Sequence, residues 1–150
     1  MMDTLSFEKE TVEFLGQEYI CAKIVINGIP LLERVTPIEL PYARAEGHPD
    51  NAGAYNHQQS ELLYKQLIGE WLYYPDAPQV ALLTCLCFDD GCWSLQAECK
   101  ESEEDVVWRK FFHNHRDEWD YSALSEFHFE KNQYNEELLK LREFDKGSDS

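Results

Sequence analysis

Three short segments between residues 79 and 112 limit the fold more than any other part of the chain. Residues 79–87, 93–99 and 105–112 are rich in β-branched and aromatic residues, and short polar connections separate them. Such segments favour strands, and short polar connections between strands favour hairpins. The pattern predicts a three-stranded antiparallel meander.

The first part of the chain also begins with β-structure. Residues 19–26 read as a strand that ends at Asn27-Gly28, the strongest two-residue turn signal, and an earlier strand over 10–15 completes a hairpin. Residues 29–35 favour a short helix. The stretch 36–56 contains three prolines and two glycines, so a long irregular connection is predicted there.

Helical periodicity appears in two later segments. Apolar residues recur at helical spacing in 58–70 and in 131–143, and 126–129 reads as a last short strand. Strands and helices that are segregated in this way indicate an α+β fold. We therefore expect one α+β domain over residues 1–144, with an antiparallel sheet (the hairpin plus the meander) covered by two or three helices. Residues 145–150 are small and polar and are expected to form a flexible tail.

Three of the five cysteines lie within eight residues at the first turn of the meander: Cys85, Cys87 and Cys92. Cys85 and Cys87 are two residues apart, so they point to the same face of a strand. If residues 88–91 form a four-residue loop, Cys87 faces Cys92 across the hairpin. The three sulfurs are then expected on one side of the sheet.

A histidine on the third strand could complete this set. If residues 101–104 form the second loop, Cys92 faces His113, and His115 has the same strand parity and is a substitute. Three thiolates and one imidazole satisfy a tetrahedral zinc ion. The prediction depends on register, because a one-residue slip moves His113 to the other face.

The chemistry of the cluster has three open interpretations. Tightly clustered cysteines in a reducing compartment are typical of metal sites or catalysis. A facing pair such as Cys87 and Cys92 would also suit a disulfide. Buried, reduced cysteine can act simply as a small apolar residue. Cys21 and Cys99 lie apart from the cluster and are assigned to the core.

The segment that leaves the third strand, 111–121, has an unusual composition, with two histidines, an arginine and several aromatic residues. In one interpretation Arg116, Trp119 and Tyr121 form a recognition surface. In the other, Arg116 pairs with a neighbouring acid, and Trp119 and Tyr121 hold the loop against the core. Both interpretations are kept.

The net charge of −16 restricts the classes of partner. Residues 1–75 carry 11 acids and 5 bases, and residues 76–150 carry 18 and 8, so the whole chain is acidic. Nucleic-acid binding depends on basic residues that neutralise phosphates, so neither direct nucleic-acid binding nor attraction to an anionic membrane is expected. A dense acidic surface suits a basic protein partner instead.

The sequence also bears on where the protein works. No apolar run of 18 residues exists, and the acidic N-terminus lacks the basic and apolar regions of a signal peptide. A cytoplasmic protein without a membrane anchor is therefore expected.

Several of these residues together resemble a family of small bacterial proteins of unknown function. The resemblance covers about residues 24–140, and its more specific parts are Gly-Cys-Trp and His-Arg-x-x-Trp-x-Tyr. It rests on Asn27-Gly28, Cys85-x-Cys87, Gly91-Cys92-Trp93, Trp108, His115-Arg116-x-x-Trp119-x-Tyr121, Phe127-x-Phe129 and Tyr134. It implies a bacterial origin and a common fold, and it implies no activity.

These observations lead to one main functional prediction and two alternatives. Because no convergent catalytic set is visible, we expect a non-enzymatic acidic interaction protein of the bacterial cytoplasm, of the immunity or inhibitor type, that binds a basic protein partner. The first alternative is a small metal- or thiol-dependent enzyme that uses Cys85, Cys87 and Cys92. The second is a nucleic-acid mimic whose carboxylates imitate phosphates.

Overall fold

The protein is an α+β domain built from two antiparallel sheets. A computed structural model describes residues 2–70, 79–89 and 91–147. A three-stranded sheet has the order β1-β2-β3, and a five-stranded sheet has the order β4-β5-β6-β7-β8. The predicted fold class is confirmed. The predicted single sheet is wrong, because the hairpin and the meander belong to different sheets.

The first sheet is an extended hairpin with a short third strand. Its strands are β1 (Leu5–Phe14), β2 (Gln17–Ile26) and β3 (Ile29–Pro30). At the β2–β3 turn, Asn27 and Gly28 both have positive φ, 54° and 81°. This left-handed pair matches the twist of the flanking strands, and Asn-Gly adopts it readily. The predicted turn is confirmed.

Helix α1 (Leu31–Ala45) contains the short helix predicted over 29–35 and continues beyond it, so the prediction of an irregular connection over 36–56 is wrong for residues 36–45. It runs through Pro37 and Pro41, each of which lacks the N–H that would bond the carbonyl four residues earlier. Both prolines, and the residues whose carbonyls they release, are exposed to solvent. Water can therefore satisfy the released carbonyls, while the opposite face, Leu31, Val35, Glu39 and Ala43, is buried.

The second sheet contains the predicted meander between two short edge strands. Its strands are β4 (Tyr55–His57), β5 (Gln79–Cys85), β6 (Leu95–Glu101), β7 (Asp105–His113) and β8 (Phe127–Glu130). Register shifts interrupt both internal ladders, between Ala81 and Leu83 and between Gln96 and Glu98. The turn between β6 and β7 also differs from the predicted loop 101–104, because Ser102 lies opposite Asp105 and Lys100 pairs with Val107. The predicted register is therefore wrong.

The chain has three further helices. Helix α2 (Ser60–Leu67) lies between β4 and β5, and α3 (Lys131–Arg142) and the single turn α4 (Phe144–Gly147) follow β8. Glu130 caps α3, since its carboxylate accepts the N–H groups of Asn132 (2.6 Å) and Gln133 (3.2 Å). The predicted tail begins within this last turn: residues 145–147 are helical, and Asp145 accepts a hydrogen bond from the Ser60 hydroxyl (2.9 Å). Residues 148–150 lie outside the described ranges.

A single hydrophobic core joins both sheets and the helices. Its fully buried side chains come from β1 and β2, from the meander and from α1, α2 and α3, and include Leu5, Ile24, Ile26, Leu31, Leu63, Leu82, Leu95, Trp108, Phe129 and Leu141. Helix α3 closes this core and also contacts the edge of β1. Within the described ranges, every helix is too short or too polar to cross a bilayer.

The packing of α3 can be tested with a matched pair of leucines. Leu141 is 1% exposed and Leu139, on the same helix, is 52% exposed. Leu141→Ala should lower the free energy of unfolding by about 2–5 kcal/mol because it leaves a cavity in the core. Leu139→Ala should change it by less than about 0.5 kcal/mol. Urea unfolding measures both, and equal losses would contradict the packing of α3.

Candidate functional site

The three clustered cysteines meet at the tip of the second sheet. The cysteine loop, residues 85–92, begins at the last residue of β5 and precedes β6. The sulfurs of Cys85, Cys87 and Cys92 all lie within 4.8 Å of one another. The prediction that the three sulfurs lie close together is confirmed, but the backbone turn that brings them together differs from the predicted one. Strand β5 ends at Cys85, so Cys87 is an exposed turn residue and does not pair with Cys92 across a ladder.

The sulfurs are free thiols within bonding reach of a common ion. All five cysteines are unpaired, and the Cys85 thiol donates a hydrogen bond to the Cys92 sulfur over 3.5 Å. Tetrahedral zinc with Zn–S bonds near 2.3 Å needs sulfurs about 3.8 Å apart. The cluster is therefore close to the geometry that a thiolate-bound metal ion requires, and it could hold one.

The thiols differ in acidity because their surroundings differ. Interaction with the Cys85 side chain lowers the pKa of the exposed Cys87 thiol, so its thiolate forms more easily. Burial raises the pKa of Cys85. Burial also raises the pKa of Cys21 to about 12 and that of Cys99 still further, as expected for the two cysteines assigned to the core. Cys87 is thus the thiol best suited to ligate or to react.

The cysteine loop is held in place on one side by the first sheet. Phe88 has a positive φ of 64°, and its N–H donates to the Cys85 carbonyl (2.8 Å), which turns the chain sharply. The Phe88 ring then stacks on Tyr19 with centroids 4.1 Å apart and meets the edge of Phe14 at 6.0 Å. The aromatic contact fixes the position of Cys87 relative to the β1–β2 hairpin.

Residues that follow β7 hold the other side of the loop. The Gly91 carbonyl accepts hydrogen bonds from His115 Nε2 (2.7 Å) and from the Asn114 amide (3.2 Å). Asn114 also accepts the Ser94 N–H (2.9 Å). His115, the predicted substitute ligand, is therefore close to the cysteine loop, but its Nε2 serves to hold the backbone.

His113 lies away from the sulfurs. It pairs with Leu95, not with Cys92, and it is fully buried. Its Nδ1 accepts the His115 N–H (2.9 Å), which assigns the ring proton to Nε2. Burial and the nearby Arg116 lower its pKa to about 3. Among the described residues, the ligand group contains the three cysteines and no histidine, so the predicted Cys3His set is wrong.

The predicted recognition surface is largely internal. Trp119 and Tyr121 are each only 4% exposed. Arg116 pairs with the Glu46 carboxylate (3.1 Å) and lies over the rings of Trp93 and Trp119, while Trp119 Nε1 donates to Glu46 (3.0 Å). The surface role predicted for Trp119 and Tyr121 is therefore wrong, and the alternative, that they hold the loop against the core, describes them correctly.

A buried acid that was not predicted from the sequence lies at the centre of this region. Glu39 is fully buried, and its carboxylate accepts hydrogen bonds from Tyr55 (2.6 Å), Tyr121 (2.5 Å) and the Gly53 N–H (2.8 Å). Burial raises its pKa even though the three hydrogen bonds oppose the shift. The sequence does contain a helical signal, because Glu39 continues the four-residue spacing of Leu31 and Val35. The prolines at 37 and 41 indicated an irregular segment instead.

Comparison with known proteins assigns neither a family nor a function to this chain. No protein-family model matches the chain, and no curated protein or solved structure is significantly similar to it. The resemblance to small bacterial proteins of unknown function therefore stays a prediction. The residues themselves have to support any functional proposal.

The rates at which the cysteines are alkylated can test the differences in acidity and exposure between their thiols. At pH 7.5, iodoacetamide should modify Cys87 at least tenfold faster than Cys21 or Cys99, because only thiolates react and the latter two are shielded by the fold. Mass spectrometry of digested samples taken over time measures each rate. A denatured sample, in which the sites should react alike, is the control. Comparable rates for Cys87 and Cys21 in the folded protein would contradict this picture.

Proposed function

We propose that this is a non-enzymatic acidic protein of the bacterial cytoplasm that binds a basic protein partner, as immunity and inhibitor proteins do. The observation that carries the proposal is the net charge of −16 on 150 residues. Charge of this size accelerates encounter with an oppositely charged partner and discourages association with anionic surfaces.

The distribution of the charge supports this proposal. Of the acidic residues that the structure describes, only Glu39 and Glu137 are buried. Eight lysine and arginine side chains in the described ranges already form ion pairs with carboxylates. Most of the positive charge is thus compensated within the molecule, while exposed carboxylates remain on the turn 101–104 and on the loop 117–120.

The partner can be sought and tested by its salt dependence. Immobilised protein should retain a basic protein from a bacterial extract, and the purified pair should lose at least tenfold in affinity between 50 and 500 mM NaCl. Calorimetry measures the affinity. Failure to retain a basic protein, or an affinity that does not change with salt, would contradict the proposal.

Charge-neutralising variants identify the surface involved. Asp117→Asn, Glu118→Gln and Asp120→Asn together remove three negative charges from one exposed loop, and Glu103→Gln with Glu104→Gln removes two from another. If either loop contacts the partner, its variant should bind more slowly and the other should serve as the matched control. A short DNA duplex that competes for the same partner would favour the nucleic-acid mimic instead.

A second candidate function, favoured by the three close sulfurs, is metal-dependent or thiol-dependent activity with zinc at the cysteine loop. An open three-thiolate set leaves a fourth coordination position for water or substrate. Catalysis also needs a base. The Asp89 carboxylate accepts the Gly91 N–H in the turn (2.9 Å), and Asp90, the other acid of this loop, lies outside the described residues. A zinc-binding role is therefore better supported than zinc-dependent catalysis.

Zinc binding has a direct test. After incubation with one equivalent of zinc and desalting, the protein should retain about one ion per chain, and Cys87→Ser should retain far less. Leu86→Ser alters the adjacent exposed residue of the same turn and should retain zinc. Lowering the pH from 7.5 to 5 should release the ion, because thiols regain protons. Elemental analysis that finds no zinc on the wild-type protein would end this candidate.

A further inference from the structure

The backbone N–H and C=O groups of successive residues in β1 point alternately toward β2 and toward the outer edge of the first sheet. The Thr4 carbonyl accepts a hydrogen bond from the Asn27 N–H (2.9 Å), which begins the ladder with β2. In an antiparallel pair, alternate residues exchange hydrogen bonds with the neighbour and the others point away. The even-numbered residues from 6 to 14 therefore bond to β2, and the odd-numbered residues from 5 to 13 point outward.

Helix α3 covers the first half of this outer edge. The Gln133 side chain accepts the Leu5 N–H (3.2 Å) and donates to the Leu5 carbonyl (2.6 Å), and Glu137 accepts the Phe7 N–H (3.0 Å). Two side chains of α3 thus replace a neighbouring strand. This protection ends at Phe7.

The second half of the edge is open. Within the described ranges, the outward N–H and C=O groups of Lys9, Thr11 and Glu13 make no hydrogen bond, and all three residues are exposed. The β1–β2 register is unbroken over ten pairs, so no bulge turns the edge away. Edge strands are usually covered or distorted because such a row of free groups is a template for another strand.

We propose that residues 9–13 are the docking edge for the basic partner, which adds an extended segment to β1 as a fourth strand of the first sheet. The inference rests on the proposed function and specifies where and how the partner binds. Main-chain hydrogen bonds would supply affinity, and side chains on both faces would supply specificity. Five residues are close to the length of an ordinary strand.

The negative charge near this edge indicates that the added strand is basic. Glu13 on β1 faces Glu18 on β2 at the open end of this edge. Lys23 (4.0 Å) and His57 (3.8 Å) approach the carboxylates of Glu8 and Glu10, so the uncompensated negative charge lies at that open end. Lysine or arginine on an added strand would lie opposite these carboxylates, a favourable cross-strand pairing. A second copy of this chain fits poorly, because two molecules that each carry −16 repel one another.

The probe is a synthetic eight-residue peptide that alternates lysine and threonine. Amide hydrogen exchange, followed by NMR, should slow at least tenfold at Lys9, Thr11 and Glu13 when the peptide is added, because these N–H groups acquire acceptors. The same peptide with every backbone amide N-methylated keeps its charge, but it has no N–H to donate to β1 and its methyl groups prevent both of its edges from pairing. It should leave exchange at these positions unchanged, and this comparison needs no change in the protein.

A protein variant provides the complementary test. Thr11→Pro removes one outward N–H without removing a bond to β2, and proline is tolerated at such edge positions. It should weaken binding of the lysine peptide at least tenfold. Thr11→Val keeps the N–H and should bind like the wild-type protein. Circular dichroism confirms that both variants fold.

Three results would overturn the inference. Salt-dependent binding of the lysine peptide with no slowing at Lys9, Thr11 and Glu13 would mean that a partner binds elsewhere, and it would leave the proposed function standing. Equal slowing by the N-methylated peptide would exclude an added strand. If exchange at these amides is already slow in the absence of peptide, and the protein is a dimer in analytical ultracentrifugation, the edge is occupied by a second copy of this chain.

Discussion

The buried carboxylate of Glu39 connects parts of the chain that are far apart in sequence. It comes from α1, and it accepts hydrogen bonds from Tyr55 on β4, from Gly53 before that strand and from Tyr121 after β7. A buried acid is costly unless its oxygens are satisfied, so each donor has a defined position. Gly53 shows how tight this arrangement is. A side chain there would collide with the Thr36 hydroxyl, and its φ of +69° also favours glycine.

This network explains why Trp119 and Tyr121 pack inward instead of forming a recognition surface. Tyr121 is drawn to Glu39, and Trp119 and Arg116 are drawn to Glu46 at the end of the same helix. His113 is enclosed by Trp93 and Trp119, with ring centroids 3.9 and 5.2 Å away. The histidines and aromatic residues that suggested recognition chemistry therefore stabilise the junction between α1 and the second sheet. His115 and Asn114 then extend that junction to the cysteine loop.

Local signals in the sequence predicted much of the fold. Strand composition and turn residues located the meander and the Asn27-Gly28 turn, and helical periodicity located α3, because these signals depend on near neighbours. Register was not predictable, because the bulges near Leu82 and Lys110, whose φ is +56°, follow from tertiary packing. The three sulfurs were predicted to meet since they are close in sequence. The histidine was not, since its position depends on two registers. Helix α1 was predicted only as a short helix over 29–35. Its continuation to Ala45 was missed because prolines on a solvent-facing stripe are tolerated, and sequence alone does not reveal that stripe.

The side-chain bonds between α3 and β1 also determine the order in which the molecule can assemble. Leu5 and Phe7 are separated from Gln133 and Glu137 by 128 and 130 residues. At ribosomal rates of about 5–20 residues per second, the closing helix is synthesised roughly 6–26 s after the first strand. The contacts between β1 and β2 themselves are local in sequence, so this hairpin can form well before then. Its entire outer edge is then uncovered until α3 arrives, so the acidic side chains along β1 protect the nascent chain from pairing with other strands.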